Sequence, residues 1–276
     1  MRRTKHLSFH VCSVILRVEP IIYKNLVLDS PEVADAFLRS LEISTKPSSF
    51  YELCIKALYW DVTVLQSQIV GKEWGDIVKT AIKLLPYCKG VEYLFCWISP
   101  EYVDTQLVDV VVAMRPKRLD ADLTNLIGTR LVNFSLPFFH NVTHLVLGTH
   151  DCGSSPGVHH LPRLSHFLVD WDGDTSDDSA MTIATDVLSH CTTLQVCVIR
   201  SVHPRRQPWL DKTLHAIVDD RLVFIIGDAD WRSDWHSFAN CEPDTWDYAE
   251  AAVAMQRRQQ HRIEPFGAYD ETNPFR

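Results

Sequence analysis

The sequence lacks the features that define several common classes of protein. No apolar run reaches the ~18 residues that a membrane span needs. The formal net charge is −8 and the basic runs are short, whereas a nucleic-acid surface needs concentrated lysine and arginine. The eight cysteines form no C-x-x-C pair and are spread along the chain, a pattern typical of buried, reduced thiols. We therefore predict no nucleic-acid partner, no membrane partner, and a cytoplasmic or nuclear location.

Catalytic motifs are also missing. The sequence contains no G-x-S-x-G elbow, no G-x-x-x-x-G-K-[ST] loop, no G-x-G-x-x-G turn and no H-E-x-x-H pair. The stretch at residues 148–160 does gather nucleophiles and bases, namely His150, Asp151, Cys152, Ser154, Ser155, His159 and His160. Glycine, serine and proline in the same stretch are typical of a loop between structural units. We predict a loop without catalytic activity; the alternative is a small hydrolase-like enzyme that uses residues 148–160.

Two metal-binding patterns are incomplete. A calcium loop counted from Asp170 has carboxylates at its first, third and fifth positions, but Thr175 stands where glycine is needed and Met181 where glutamate is needed. His140 and His144 are four residues apart near the start of a predicted strand, so they need not share a face. We predict no metal and no cofactor.

The composition is that of a folded protein with a large core. Of the 276 residues, 46% are hydrophobic and 22% are charged, so the chain needs no disulfides to fold. The first 20 residues combine a basic start with an apolar stretch that His10 interrupts and that Arg17 and Glu19 follow. This arrangement favours a structural helix over a signal peptide.

One short pattern returns along the chain. It reads apolar-x-x-apolar-x-apolar and begins at residues 23, 55, 91, 116, 142, 164, 194 and 219. The alternation at the end of each unit indicates a short strand with one buried face. A repeat every 20 to 50 residues or so indicates a solenoid, in which each unit covers the open flank of its neighbour.

Helical segments lie between these units. Ser30 is a candidate N-cap ahead of Pro31, and amphipathic patterns occupy residues 30–43, 72–88, 102–116, 176–191 and 207–220. Alternating strands and helices predict parallel strands joined by crossovers. The predicted fold is α/β, an irregular leucine-rich-repeat-like solenoid with parallel strands on the concave side and helices outside. A generic α/β domain is the alternative.

The concave face of such a solenoid carries the third and fifth positions of each unit. The fifth-position row is mainly apolar, and exposed apolar surface usually marks a partner site. The predicted partner-binding residues are Tyr59, Tyr93, Phe95, Arg118, His144, Val146, His166, Leu168 and Val198. The alternative is that the C-terminal segment covers this face, because apolar residues on both sides of a strand are also normal in parallel sheets.

The C-terminal segment has the pattern of a cap. Four tryptophans stand at positions 209, 231, 235 and 246. Asp244 is a candidate N-cap for a helix from Thr245 to about His261, with Trp246, Ala249 and Val253 facing inward. We predict that this segment closes the apolar end of the solenoid.

Three stretches carry a family resemblance. Val11 and Cys12 precede Pro20 and Tyr23 in the first stretch; the second reads LPYCKGVEYLFCWIS at residues 85–99; and the third runs from DDRLVFIIGDADWRSDW at residues 219–235 into the tryptophan-containing C-terminal helix. Together they resemble the F-box/leucine-rich-repeat-like proteins of basidiomycete fungi, over roughly residues 8–262.

The resemblance implies a role in ubiquitination. Proteins of that family recognise substrates, and their F-box binds a Skp-type adaptor of a cullin ubiquitin ligase. Val11 and Cys12 would be the remnant of the adaptor-binding helix, while the front of an F-box, a Leu-Pro followed by an apolar helix, is missing. The chain is either a piece of a longer protein or a repeat domain that works without the adaptor.

These observations divide the chain into four parts. Residues 1–20 form a residual F-box-like helix, 21–228 a leucine-rich-repeat-like domain, 229–262 a C-terminal capping segment with a helix, and 263–276 a tail. The predicted function is that of a protein-interaction module, a substrate receptor or scaffold for an unidentified protein partner.

Overall fold

The strands in the described part of the chain form one parallel sheet whose order follows the sequence. The computed structural model describes residues 19–61, 74–98, 105–127, 131–148, 151, 157–171, 178–201, 218–226 and 231–258. The eight strands are β1 (Asn25–Leu28), β2 (Ala57–Asp61), β3 (Tyr93–Trp97), β4 (Arg118–Ala121), β5 (His144–Gly148), β6 (His166–Trp171), β7 (Val196–Ser201) and β8 (Leu222–Ile226). β1 and β8 are the two edges, so the sheet is open.

The described helices lie mostly between consecutive strands. They are α1 (Pro31–Ile43), α2 (Ser48–Cys54), α3 (Trp74–Leu84), α4 (Thr105–Val112), α5 (Leu123–Ile127), α6 (Asp178–His190), α7 (Trp231–Asn240) and α8 (Thr245–Arg258). Short 3₁₀ turns occupy Leu85–Cys88, Pro137–Phe139 and Val158–His160. The α/β class and the parallel strands are therefore confirmed.

Local signals explain several of these helices. The Ser30 hydroxyl accepts a hydrogen bond from the Val33 N–H at 3.3 Å, and Pro31 follows as the first helical residue of α1. The predicted helices near residues 72–88, 102–116 and 176–191 correspond to α3, α4 and α6. The pattern at residues 207–220 falls almost wholly outside the described residues.

The register of the sheet follows the repeated pattern. The second apolar position of every unit lies in one ladder row, which contains Leu26, Leu58, Leu94, Leu119, Leu145, Phe167, Cys197 and Leu222. The unit at residue 116, which fits the pattern least well, still forms β4 with Leu119 in this row. The predicted strands and their alignment are confirmed in all eight units.

A second regularity lies just before the strands. The carbonyl of the residue preceding β1, Lys24, accepts hydrogen bonds from the N–H groups of Lys56 and Ala57 at 2.9 and 3.0 Å. The same two-donor arrangement recurs on the carbonyls of Lys56, Glu92, Lys117, Thr143 and Ser165. Each of the first six units thus joins the next in the same way.

The main core lies between one face of the sheet and the helices that connect the strands. Its strand residues come from the second and third apolar positions of the units, and its helix residues include Leu41, Leu84, Val111 and Val187. Five of the six described cysteines, Cys54, Cys88, Cys96, Cys191 and Cys197, are buried, as expected for structural thiols, and Cys241 is exposed. Burial raises the pKa of the Cys88 thiol to about 12.

Helices α7 and α8 lie on the opposite face of the sheet. Asp244 caps α8, because its Oδ1 accepts hydrogen bonds from the N–H groups of Trp246 and Asp247 at 2.9 and 3.2 Å. Trp246, Ala249 and Val253 face inward, so the capped helix is confirmed as far as Arg258. The segment that contains α7 and α8 lies across the face of the strands.

Candidate functional site

The sheet face beneath α7 and α8, which we call the covered face, holds all the predicted partner-binding residues. Its first part is aromatic. The rings of Tyr59 and Phe95 stack with centroids 4.5 Å apart, and Trp235 of α7 lies 5.5 Å from Tyr59 and 5.3 Å from Tyr93. Phe238 meets Tyr93 edge-on at 4.7 Å. Strands β2 and β3 are thus closed off by α7.

The far part of the covered face is aliphatic. Val146, Leu168, Val196, Val198 and Val223 pack against the inward side of α8. The Gln256 amide donates to the Leu222 carbonyl at 3.1 Å, and Arg257 forms an ion pair with Asp220 at 2.8 Å. Strands β5, β7 and β8 carry valine and β6 carries leucine in this row, so α8 meets an aliphatic surface.

A third set of side chains on this face, which we call the charged belt, consists of Arg118, Asp120, Asp170, Arg200, Asp234 and Asp244. Arg118 forms an ion pair with Asp244 at 2.6 Å and lies over the Phe238 ring. The Trp97 indole N–H donates to Asp120 Oδ1 at 2.9 Å. Burial, helped by the negative charge of Asp170, raises the pKa of Asp120 to about 8.

Arg200 of β7 contacts β6 and α7 directly and is linked to α8 through Asp234. Its guanidinium bonds both carboxylate oxygens of Asp170 at 2.5 and 2.8 Å and Asp234 of α7 at 2.5 Å. Asp234 also accepts from the N–H and the hydroxyl of Thr245, at 3.1 and 2.5 Å. Strands β6 and β7 are thereby joined to both C-terminal helices through one arginine that is 2% exposed.

A stacked histidine pair faces α8. The His144 and His166 rings are parallel with centroids 4.0 Å apart, and Trp246 meets both edge-on at 5.3 and 5.5 Å. His166 Nε2 lies 2.9 Å from Glu250 Oε1. Burial lowers the pKa of both rings, to about 2 for His144, where His166 and Arg118 add to the effect. Both rings are therefore neutral near pH 7.

These contacts bear on the two interpretations of this face that the sequence left open, an exposed partner site or a face covered by the C-terminal segment. The apolar fifth-position row is covered because α7 and α8 supply matching aromatic and aliphatic side chains, which was the alternative interpretation of the sequence. The covered residues are Tyr59, Tyr93, Phe95, Arg118, His144, Val146, His166, Leu168 and Val198. Direct partner contacts at these residues stay a prediction.

The 148–160 stretch is only partly described. Asp151 is buried and caps α5: its carboxylate accepts from the N–H groups of Leu123 and Thr124 at 3.0 Å and from the Thr124 hydroxyl at 2.5 Å. His159 contacts Asp186 of α6. His150, Cys152, Ser154 and Ser155 lie outside the described residues, as do Val11 and Cys12.

The metal patterns of the sequence take other roles. Asp170, the first residue of the calcium-like stretch, pairs with Arg200, and residues 172–177 of the stretch lie outside the described residues. His144 belongs to the stacked pair, whereas His140 is exposed. A different group, His159, Asp186 and His190, brings its ligand atoms within 4.8 Å of one another.

Comparison with family models, with curated proteins and with solved structures finds no match to the chain. Among the described residues, the helices are all too short or too polar to cross a membrane.

Proposed function

We propose that the chain is a leucine-rich-repeat-like protein-interaction module with no catalytic activity of its own. The observation that supports this most is the repeated junction between units. In all eight strands the second apolar position of the unit lies in one row of the sheet. In six successive units the carbonyl just before the strand accepts two N–H groups from the next unit. Arrays of such stacked units are typical of proteins that bind other macromolecules.

The partner surface in this proposal is the outer side of α8. Helices α7 and α8 of the same chain pack on the covered face, so a partner that approaches from that side contacts these helices first. The inward side of α8 is fixed to the sheet by Trp246, Ala249 and Val253. Its outward side exposes Ala251, Ala254 and Met255, the last 41% exposed. This row continues one turn later into Arg258, so an apolar stripe ends in a charge.

A pair of surface variants tests the proposal. The full chain serves as bait in an affinity purification, alongside the double variant Ala251→Glu/Met255→Glu. The control is Ile43→Glu, which places one glutamate on an apolar residue that is 82% exposed at the end of α1. The proposal expects a protein that the wild-type chain and the Ile43 variant both retain and the α8 variant loses.

Two results would contradict the proposed surface. One is a partner retained equally by the α8 variant; the other is a partner lost only from the Ile43 variant. Thermal unfolding of each variant shows that a lost partner reflects the surface, because exposed substitutions usually change the free energy of unfolding by about 0.5 kcal/mol or less.

The link to a cullin ubiquitin ligase rests on the family resemblance and on Val11 and Cys12. Titration of a purified Skp-type adaptor into the full chain measures it directly. The rival hydrolase is disfavoured because Asp151, one of its candidate acids, is committed to capping α5. Turnover of ester substrates that disappears in Ser154→Ala would restore it.

A further inference from the structure

A histidine–aspartate–histidine group lies on the helical side of the molecule, away from the covered face. His159 Nδ1 lies 2.5 Å from Asp186 Oδ2, and His190 Nδ1 lies 3.1 Å from Asp186 Oδ1. One carboxylate thus receives an imidazole on each oxygen. The His159 and His190 ring centroids are 5.1 Å apart.

The fold brings these residues together from two consecutive units. Asp186 and His190 are four residues apart in α6, so they share one face of that helix. His159 comes from the 3₁₀ turn Val158–His160 between β5 and β6, which starts after Gly157 at φ 83°. This left-handed conformation favours glycine, and an added Cβ there would meet the His160 ring at 3.2 Å.

We propose that His159, Asp186 and His190 bind one divalent transition-metal ion, with Zn²⁺ as the expected occupant. The ligand atoms already lie within 4.8 Å of one another. Zinc bonds of ~2.0 to 2.2 Å to imidazole nitrogen and carboxylate oxygen require these atoms to surround one point. To surround one ion the three side chains must rotate, and His190 Nδ1 must leave the Asp186 backbone carbonyl, from which it lies 3.0 Å. None of the three is fixed in the core, since the side chains of His159, Asp186 and His190 are 19%, 35% and 60% exposed.

The donor set determines which ions fit. Two imidazoles and one carboxylate suit zinc, copper or nickel, whereas magnesium and calcium prefer oxygen ligands alone. Three protein ligands leave a fourth position of tetrahedral zinc to water. Metal ions bind deprotonated ligands, so binding weakens as the pH falls. The bound ion would join the turn before β6 to the helix before β7.

Zinc binding to the full chain tests the site. Isothermal titration with Zn²⁺ measures stoichiometry and affinity, and the visible spectrum of bound Co²⁺ reports tetrahedral coordination. We expect one zinc site per chain. His159→Ala, Asp186→Ala and His190→Ala should each lower the zinc affinity by about tenfold or more, because even changes to residues around the ligands lower metal affinity by about 10 to 100-fold. His140→Ala, an exposed histidine outside the group, should bind like the wild type.

Three results overturn the proposal: no zinc binding by the wild-type chain, equal affinity in the three ligand variants, or a loss of binding in Cys241→Ser instead. The last variant removes an exposed thiol that could bind zinc by itself. Circular dichroism of each variant keeps the comparison valid, because these partly exposed residues can change without unfolding the chain.

Discussion

Replacing Trp235 by alanine should weaken the whole fold, because this side chain is the main contact between α7 and the sheet. Trp235 is 1% exposed and lies against Tyr59, Tyr93 and Phe238. A buried tryptophan removes roughly 200 Å² from water, which at about 25 cal/mol per Å² stabilises the fold by about 5 kcal/mol. Measured Trp→Ala changes in cores cost about 3 to 5 kcal/mol, and we expect a loss in that range.

Urea unfolding of the full chain, followed by circular dichroism, measures this loss. The matched control is His236→Ala, the next residue in α7, which is exposed and should change the free energy of unfolding by about 0.5 kcal/mol or less. Hydrogen exchange adds the location: amides of β2 and β3 should lose protection together with α7. If Trp235→Ala unfolds at the same urea concentration as His236→Ala, α7 does not cover the sheet and the assignment of the covered face is wrong.

Three further changes test the charged belt and the histidine pair. Arg200→Ala leaves Asp170 and Asp234 without their cation and should cost about 3 to 5 kcal/mol in urea unfolding, whereas Lys117→Ala, at an exposed ion pair, should cost about 1 kcal/mol or less. Asp120 keeps its proton up to about pH 8 in the folded chain and loses it near pH 4 when unfolded. Its contribution to the free energy of unfolding therefore falls between these pH values, by up to about 1.4 kcal/mol per pH unit, and Asp120→Asn should remove that slope. His144 stays neutral in the folded chain down to about pH 2 and is protonated below about pH 6.5 when unfolded. Acid should therefore destabilise the wild type from pH 6.5 downward by up to about 1.4 kcal/mol per pH unit, and His144→Phe should reduce this loss; an unchanged pH profile in either variant would contradict the burial of that group.

The repeated pattern could predict the sheet because strand pairing between neighbouring units depends on local residues. Leu26, Leu58 and Leu94 stand at the same position of their units and occupy the same row of the sheet. Even the weak unit around Leu119 pairs correctly, because its neighbours on both sides fix its register. Capping signals at Ser30 and Asp244 are equally local and were sufficient to place α1 and α8.

The sequence did not decide whether the face formed by the third and fifth positions is exposed or covered. Whether a row such as Val146, Leu168 and Val198 meets solvent or a helix depends on where a distant segment folds, and the sequence allowed both outcomes. Helix α7 was not predicted at all: the sequence showed only its tryptophans. The link between Arg200 and Asp234 joins residues 34 apart, and only the polar character of Asp170 and Arg200 inside apolar strands signalled it.

The sequence analysis did not bring the histidine–aspartate–histidine group together, for a related reason. His159 and Asp186 are 27 residues apart, and no short motif contains both. The pairing follows from the repeat, which places the turn before β6 beside the helix before β7. An alignment of the helices between units would place Asp186 and His190 beside the histidines of the preceding unit, among them His159.

Contacts between α8 and the histidine pair test the central claim of this account most directly. The Trp246 ring centroid lies 5.3 Å from that of His144 and 5.5 Å from that of His166. Nuclear Overhauser measurements on the full chain, with the histidine and tryptophan rings labelled, detect ring protons that are this close. We predict cross-peaks from Trp246 to both histidines at neutral pH. Histidine rings that show no contact with Trp246 and that titrate as exposed imidazoles would show that the C-terminal helices do not cover the sheet.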